Sequence, residues 1–172
     1  MYYTRFNTPF CEVILAGNKS GLTHLHLETR EGNRAFKIDP AWQKAPLFFK
    51  SVRAQILEYF DGRRQHFEVA INPRGTDFQK KVWKALCRIP YGGLRSYADI
   101  AVATGNKKAA RAVGTANGKN PIPLIIPCHR VVGANGSLTG FAHGIKIKEE
   151  LIRLEHAFTV CRTSARSNIT TQ

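Results

Sequence analysis

Residues 76–118, TDFQKKVWKALCRIPYGGLRSYADIAVATGNKKAARAVGTANG, decide the fold. Three helical patterns follow one another in this stretch, each with its own start or stop. Thr76-Asp-Phe-Gln79 is a capping box: the Thr hydroxyl and the Gln amide satisfy backbone N–H groups that a first helical turn leaves open. Phe78, Val82, Ala85, Leu86 and Ile89 recur at helical spacing, and Pro90-Tyr-Gly-Gly93 ends the run. Ser96-Tyr-Ala-Asp99 opens a second helix, expected to reach about Ala103. Thr104-Gly105-Asn106 supplies a tight turn, and a third helix is expected from Lys107 to about Asn117. Two short helices joined by a Gly-containing turn predict a helix-turn-helix.

The last of these helices is unusual. A helix that reads base edges carries Arg, Asn or Gln toward the groove. This one is mostly Ala and Gly, with Arg111 alone near its middle. Small side chains suit a close, sequence-indifferent contact with DNA. They equally suit a helix packed against its neighbours, and both readings stay open.

Charge favours a polyanionic partner. The chain has 172 residues and carries 26 Lys and Arg against 12 Asp and Glu, a net of +14. Residues 1–74 hold 11 basic and 7 acidic residues, and residues 75–172 hold 15 and 5, so most of the excess lies in the second half. Nucleic acid is the leading candidate and an anionic membrane surface the second. No segment approaches the roughly 18 consecutive apolar residues that a membrane span needs. MYYTRFNTPFCEV at the start has no basic region followed by an apolar core, so no signal peptide is read and a cytoplasmic location is expected. The Asn-Ile-Thr at Asn168 is then a chance match to a glycosylation site. Cys11, Cys87, Cys128 and Cys161 form no CxxC pair and are expected to be free thiols.

The first seventy residues read as a small α+β unit. Cys11–Ala16, the turn Gly17–Gly21, and Leu22, Leu25 and Leu27 predict a hairpin. Glu28–Ala45 reads as loop. From Pro46 a helix is expected, with Leu47, Phe48, Val52, Ile56, Tyr59 and Phe60 on one face and Asp61-Gly62 as its stop. His66–Ile71 reads as a further strand, and Asn72-Pro73-Arg74-Gly75 as the domain boundary.

Beyond the helices lies PLIIPCHRVVGANGSLTGFAHG, Pro123–Gly144, with Cys128 beside His129. A zinc site is not expected, because no second ligand pair at C-x₂₋₄-C or H-x₃₋₅-H spacing accompanies it. His24, His26 and Cys11 have no specific metal spacing either. A buried structural thiol is the default for one cysteine. Here Pro121, Pro123 and Pro127 stiffen the approach, Asn120 can pin the loop backbone, and Gly133, Gly136, Gly140 and Gly144 let the chain fold back. Such support suits a positioned nucleophile. A thiol needs a base at neutral pH, and a histidine base needs a carboxylate to orient it. His129 is adjacent. In KIKEELIRLEH, Lys146–His156, Ile147, Leu151 and Leu154 share a helix face that Glu155 borders, whereas Glu149 and Glu150 point to water.

NPIPLIIPCHRVVGANGSLTGFAHGIKIKEELIRLE (Asn120–Glu155), with FQKKVWKALCRIPYGGLRSYADIA and AARAVGTANG before it, resembles the O6-alkylguanine-DNA alkyltransferases. The resemblance runs without a gap from Thr76 to Glu155; over residues 1–75 it is one of layout. It implies an α+β chain: an N-terminal ribonuclease-H-like α/β domain over 1–74 and a mostly helical domain with the helix-turn-helix over 75–158; the tail over 159–172 falls outside the match and is expected to be disordered. It implies a monomer that flips an alkylated guanine out of double-stranded DNA and transfers the O6-alkyl group irreversibly to Cys128. O4-alkylthymine would be a poorer substrate, and no cofactor or metal is needed. His129 would take the thiol proton through a water, with Glu155 orienting it. Tyr97 would donate to the leaving guanine and Asn120 would brace the loop. Arg111 would enter the base stack, with Lys107, Ala109, Ala110, Thr115 and Asn117 along the minor groove. Tyr97, Val131, Phe141, Ala142 and His143 would line the pocket. Two positions depart from the pattern: Phe141 replaces a frequent Tyr, and His143 stands where small residues are common. Rival readings are an alkyltransferase-like lesion binder, a helix-turn-helix regulator and a cysteine hydrolase. Cys128 opposes the first, and the lack of base-reading side chains opposes the second. The third would need an oxyanion hole and would turn over.

Overall fold

The computed structural model describes residues 1–32 and 34–167, with backbone alone for 160–167. The N-terminal half is a four-stranded sheet with one helix. Strands β1 (Tyr2–Asn7), β2 (Glu12–Asn18) and β3 (Gly21–Glu28) form an antiparallel meander, and β4 (Gln43–Lys44) pairs parallel with β1, giving the order β3-β2-β1-β4. The expected hairpin is β2–β3. Strand β1 was not foreseen, and it alternates as a half-buried strand should, with Thr4 and Phe6 inward and Arg5 outward, where it pairs with Glu12.

A 3₁₀ turn at Pro46–Phe49 leads into α1 (Lys50–Phe60). The helix expected from Pro46 is therefore split. Leu47 and Phe48, assigned to its apolar face, are exposed because the tighter turn rotates them off it; Phe49 is the residue buried there. The stop at Asp61-Gly62 holds. Gly62 has φ +70°, and a Cβ there would sit 2.1 Å from Phe158 of the C-terminal helix, so this glycine both ends α1 and lets the last helix close in. His66–Ile71 does not form a strand. It is an extended segment whose backbone reaches β3 at the Leu22–Ile71 bridge, because Leu22 offers both its N–H and its C=O there, to Ala70 and Asn72.

The C-terminal half carries α2 (Asp77–Leu86), a two-residue strand β5 (Arg95–Ser96), α3 (Tyr97–Ala103), α4 (Ala110–Gly118), β6 (Val131–Val132) paired parallel with β5, and α5 (Ile145–Ser167). Both capping boxes form. Thr76 Oγ1 accepts from Gln79 N while Gln79 Oε1 accepts from Thr76 N, and Ser96 and Asp99 do the same for α3. α3, the turn at Gly105 (φ +82°) and α4 make the helix-turn-helix. α4 starts three residues later than expected: the Lys107-Lys108 pair lies in the turn, and Ala109 caps the helix with nearly its whole surface buried. Trp83 Nε1 donates to Ala116 O at 2.9 Å, fixing α2 to α4. The tail expected to be disordered from 159 instead continues α5 as helix to Ser167; residues 168–172 lie outside the described part. One apolar core runs through both halves, from Val13, Leu15 and Ile56 to Leu86, Val113, Ile126 and Leu151. Among the described residues no helix is long and apolar enough to cross a membrane.

Candidate active site

Pro121-Ile-Pro-Leu-Ile-Ile-Pro127 delivers the thiol. Pro121 O accepts from Leu25 N of β3 at 2.9 Å, and Ile126 N donates to Ile122 O at 2.9 Å, so the loop is tied to the N-terminal sheet and closed on itself. Asn120 grips it from inside, its Nδ2 donating to Ile126 O at 2.8 Å and its Oδ1 accepting from Ile122 N at 3.0 Å. Leu124 holds φ 71°, a left-handed conformation that costs a leucine of order 1–3 kcal/mol and persists because its side chain is buried. A 3₁₀ turn, Cys128–Arg130, then buries the thiol, the imidazole and the guanidinium.

Behind the thiol, Glu155 of α5 gathers donors from four directions. His129 Nε2 lies 2.8 Å from Glu155 Oε1, and Tyr59 Oη donates to that same oxygen at 2.7 Å. Arg130 Nη2 donates to Oε1 and Nε to Oε2, both at 2.9 Å. The N–H of Gly92 donates to Oε2 at 2.9 Å; φ +73° at this glycine makes the turn that aims it. Burial alone would raise the Glu155 carboxyl. The hydrogen bonds from His129 and Arg130, with the Arg130 charge, outweigh burial and hold it well below the usual carboxylate range. A carboxylate only accepts, so His129 Nε2 carries the proton it shares. Burial lowers the His129 imidazole, Glu155 partly offsetting it, which leaves the ring neutral. Its Nδ1 is buried without a hydrogen-bond partner among the described residues.

Cys128 itself is pushed up to about 11, first by burial, against the opposing Asn120 hydrogen bond and the charges of Lys148 and Arg34. The thiol is stored protonated and becomes reactive when a base removes its proton. Lys148, with no exposed surface, donates from Nζ to Val131 O at 2.6 Å and Thr139 O at 2.8 Å, and burial lowers it to about 8. Tyr97 donates to the same Thr139 carbonyl at 3.0 Å. Arg34 reaches from the N-terminal loop to donate to Asn120 O at 2.6 Å.

The cavity at the thiol is small, about 10 Å³, walled by Arg34, Asn117, Asn120, Cys128, Phe141 and His143, with Gly118, Gly140 and Ala142. Phe141, Ala142 and His143 are thus brought to the thiol. Val131 is not: it is fully buried in β6 and offers its carbonyl to Lys148. Tyr97 stands at the rim, its hydroxyl 3.3 Å from where a Cβ on Gly140 would be. His143 turns its Nδ1 to Leu27 O at 3.0 Å and packs edge-on against His26 and Phe141, so it fastens the closing loop to β3. Thr29 Oγ1 donates to the His143 carbonyl beside it. His24 and His26 pack on Phe36.

On α4, Arg111, Ala112 and Thr115 are exposed while Val113, Ala116 and Asn117 are buried, so the helix both packs and presents a small-residue face. Lys107 is exposed and Ala110 half-buried on the same side. Two residues expected on the DNA face are not there. Ala109 is in the core at the helix cap. Asn117, one turn past Val113, faces inward and donates from Nδ2 to Cys128 O at 3.3 Å. Sequence reasoning missed Tyr59, Arg130, Lys148 and Arg34. Lys148 and Glu155 are seven residues apart, two helical turns on one face, which was the available signal for the lysine.

The fold and site define a DNA-binding protein built around one buried, histidine-backed cysteine. Residues 77–157 match the 6-O-methylguanine DNA methyltransferase DNA-binding domain, and residues 1–73 match that family's ribonuclease-like domain. The chain is 48% identical over 155 residues to the methylated-DNA–protein-cysteine methyltransferase of Methanosarcina barkeri, covering 90% of this chain and 97% of that one. It is 43% identical to the constitutive enzyme of that name from Bacillus subtilis, covering 90% and 94%. The structure of Mycobacterium tuberculosis OGT in complex with DNA superposes with a TM-score of 0.84 at 44% identity, over 92% of this chain and 94% of that one. The chain belongs to the 6-O-methylguanine DNA methyltransferase family.

Replacing Glu155 by Gln removes the charge that Arg130 and His129 are built around. Leaving one partner of a buried pair uncompensated costs about 3–5 kcal/mol, expected as a fall of roughly 10 °C in Tm. The pH dependence should change with it. Glu155 is depressed in the folded state, so its contribution is present above the ordinary carboxylate pKa of about 4.3 and is lost as pH falls. Thermal melts of both proteins between pH 3 and pH 7 should show a shallower acid slope for the variant; an unchanged Tm and slope would refute the network.

Proposed function

We propose that this protein repairs double-stranded DNA by moving the alkyl group of O6-alkylguanine onto Cys128, once per molecule, acting as a monomer in the reducing cytoplasm. The observation that carries this reading is His129: its Nε2 is committed to a buried carboxylate, and its Nδ1 is buried and unpartnered among the described residues. That is an imidazole held ready as a base beside a protonated thiol. The 10 Å³ cavity is far too small for a purine. The loop Thr139–Gly144 and the Arg34 side chain must therefore move when a flipped base enters.

In the proposed step, the thiol proton passes to His129 Nδ1 through a water and Glu155 stabilises the imidazolium that forms. The Cys128 sulfur attacks the alkyl carbon, the S–C bond forms, and the C–O6 bond breaks with its electron pair passing to the purine. Tyr97 gives a proton to the ring nitrogen and regains one from the imidazolium through solvent. Net, the thiol proton ends on guanine and the alkyl group on sulfur as a thioether. No group in the site can reverse that bond, so the acceptor is consumed.

DNA contact is proposed for the exposed face of α4. Arg111 would fill the gap left by the flipped base, Lys107 and Thr115 would meet phosphates, and Ala110 would let the backbone come close. An alkyltransferase-like lesion binder is disfavoured by Cys128, and a sequence-reading regulator by an exposed face of α4 whose one Arg, Asn or Gln among the described residues is Arg111.

Incubation with a duplex carrying labelled O6-methylguanine should place one equivalent of label on Cys128. Cys128→Ser should accept none while still binding the lesion duplex, because a hydroxyl is far less acidic than a thiol. More than one equivalent of guanine released per protein, or label elsewhere in the chain, would overturn the reading. Arg111→Ala should slow repair of the duplex at least ~10-fold while leaving reaction with free O6-benzylguanine nearly unchanged, since only the duplex must be unstacked. Equal losses on both substrates would remove the intercalating role.

A further inference from the structure

Of the buried side-chain oxygens and nitrogens in the cavity wall, Asn117 Oδ1 has no hydrogen-bond partner among the described residues. The side chain is 2% exposed and comes from α4, yet it lines the same cavity as the thiol. Its orientation is fixed chemically. Nδ2 donates to the carbonyl of Cys128, and turning the amide over would set two acceptors against each other. The other amide in the wall, Asn120, is committed at both ends to the loop backbone and also bonds the Cys128 thiol. A buried acceptor left open is costly in the resting protein. The cavity has room for about one water molecule. A base that enters must displace any such water, and then has to supply the donor itself.

O6-alkylguanine presents one donor group on the edge that carries its alkyl oxygen. The ring nitrogen between is an acceptor, since alkylation removes its hydrogen, and the exocyclic 2-amino group lies beyond. With the alkyl carbon placed against the Cys128 sulfur, an amino end of that edge turned toward the Asn117 amide, which the Cys128 carbonyl holds, would meet the open Oδ1. O4-alkylthymine offers acceptors at the corresponding positions, which would face Oδ1 unpaired.

We propose that Asn117 reads the 2-amino group of the flipped guanine and so sets the preference for O6-alkylguanine over O4-alkylthymine. The inference rests on the alkyl-transfer reading above and adds a specificity-determining residue that acts through a side-chain oxygen.

The test compares single-turnover transfer from duplexes carrying O6-methylguanine, O6-methylhypoxanthine, which differs by loss of the 2-amino group alone, and O4-methylthymine. A site built to bond a substrate N–H discriminates strongly against the analogue lacking it, so the parent protein should prefer guanine to hypoxanthine by at least ~100-fold. In Asn117→Leu, shown to be folded by its melting curve, that ratio should collapse toward one, and the guanine-to-thymine ratio should fall with it. Loss of the Nδ2 contact to Cys128 can slow all three substrates, but a merely structural role would slow them equally and keep the ratios. Retained ratios in the variant, or no preference in the parent protein, would overturn the proposal. If the leucine variant does not fold, Asn117→Ala, which also lacks the acceptor, gives the same comparison without the branched side chain. Absence of any transfer from O6-methylguanine to Cys128 in the parent protein would instead refute the repair function itself.

Discussion

The carboxylate of Glu155 is the point on which the site depends. It is buried, charged and surrounded by donors from α1, from the Gly92 turn and from the turn that carries the thiol. A charge taken out of water in this way is tolerated because every face of it is bonded. The consequence is chemical. By occupying His129 Nε2, Glu155 leaves Nδ1 as the free lone pair, and by staying ionised it stabilises the imidazolium that proton transfer would create. Arg130 serves the carboxylate in turn and also bonds Ile89 O at 2.7 Å, locking the turn that follows α2 to the same cluster.

The N-terminal half is part of this arrangement. Tyr59 is a fully buried residue of α1 whose hydroxyl reaches Glu155, and Arg34 reaches the Asn120 carbonyl under the active-site loop. Leu27 O and the Thr29 hydroxyl hold His143 at the other side of the cavity. The sheet therefore fastens both walls of a pocket whose reactive groups all lie in the C-terminal half. Opening the pocket for a base must loosen some of these ties, which gives the first seventy residues a bearing on how readily the substrate enters.

Much of this was legible in order along the chain, and the reasons for the gaps are physical. The boxes at Thr76 and Ser96 are local: donor and acceptor lie three residues apart, so the sequence carries the whole interaction. Glu155 was legible because helical periodicity placed it at the border of an apolar face next to Leu154. Tyr59 was not, because an aromatic at helical spacing reads as core, and its partner lies 96 residues away. Lys148 reads as a solvated lysine until the carbonyls of Val131 and Thr139 are seen above it. Asn117 was assigned to the DNA face because the resemblance marks the whole small-residue helix, and only burial separates its two sides. The residues at 66–71 have strand composition but lack a neighbouring strand along their length, so their backbone stays extended and forms a single bridge. Leu47 and Phe48 kept helical spacing on paper, whereas the 3₁₀ turn changed the period under them.

Whether Glu155 fixes His129 as a neutral base with its lone pair on Nδ1 can be observed directly. Nitrogen NMR of the protein labelled in its histidine rings reports the protonation state and tautomer of each imidazole. His129 is identified by the signal lost in His129→Gln. The expected result is a neutral ring at neutral pH, protonated on Nε2 and bare on Nδ1, with the Nε2 proton shifted downfield by its bond to the carboxylate. A ring protonated on Nδ1, or an imidazolium at neutral pH, would contradict it.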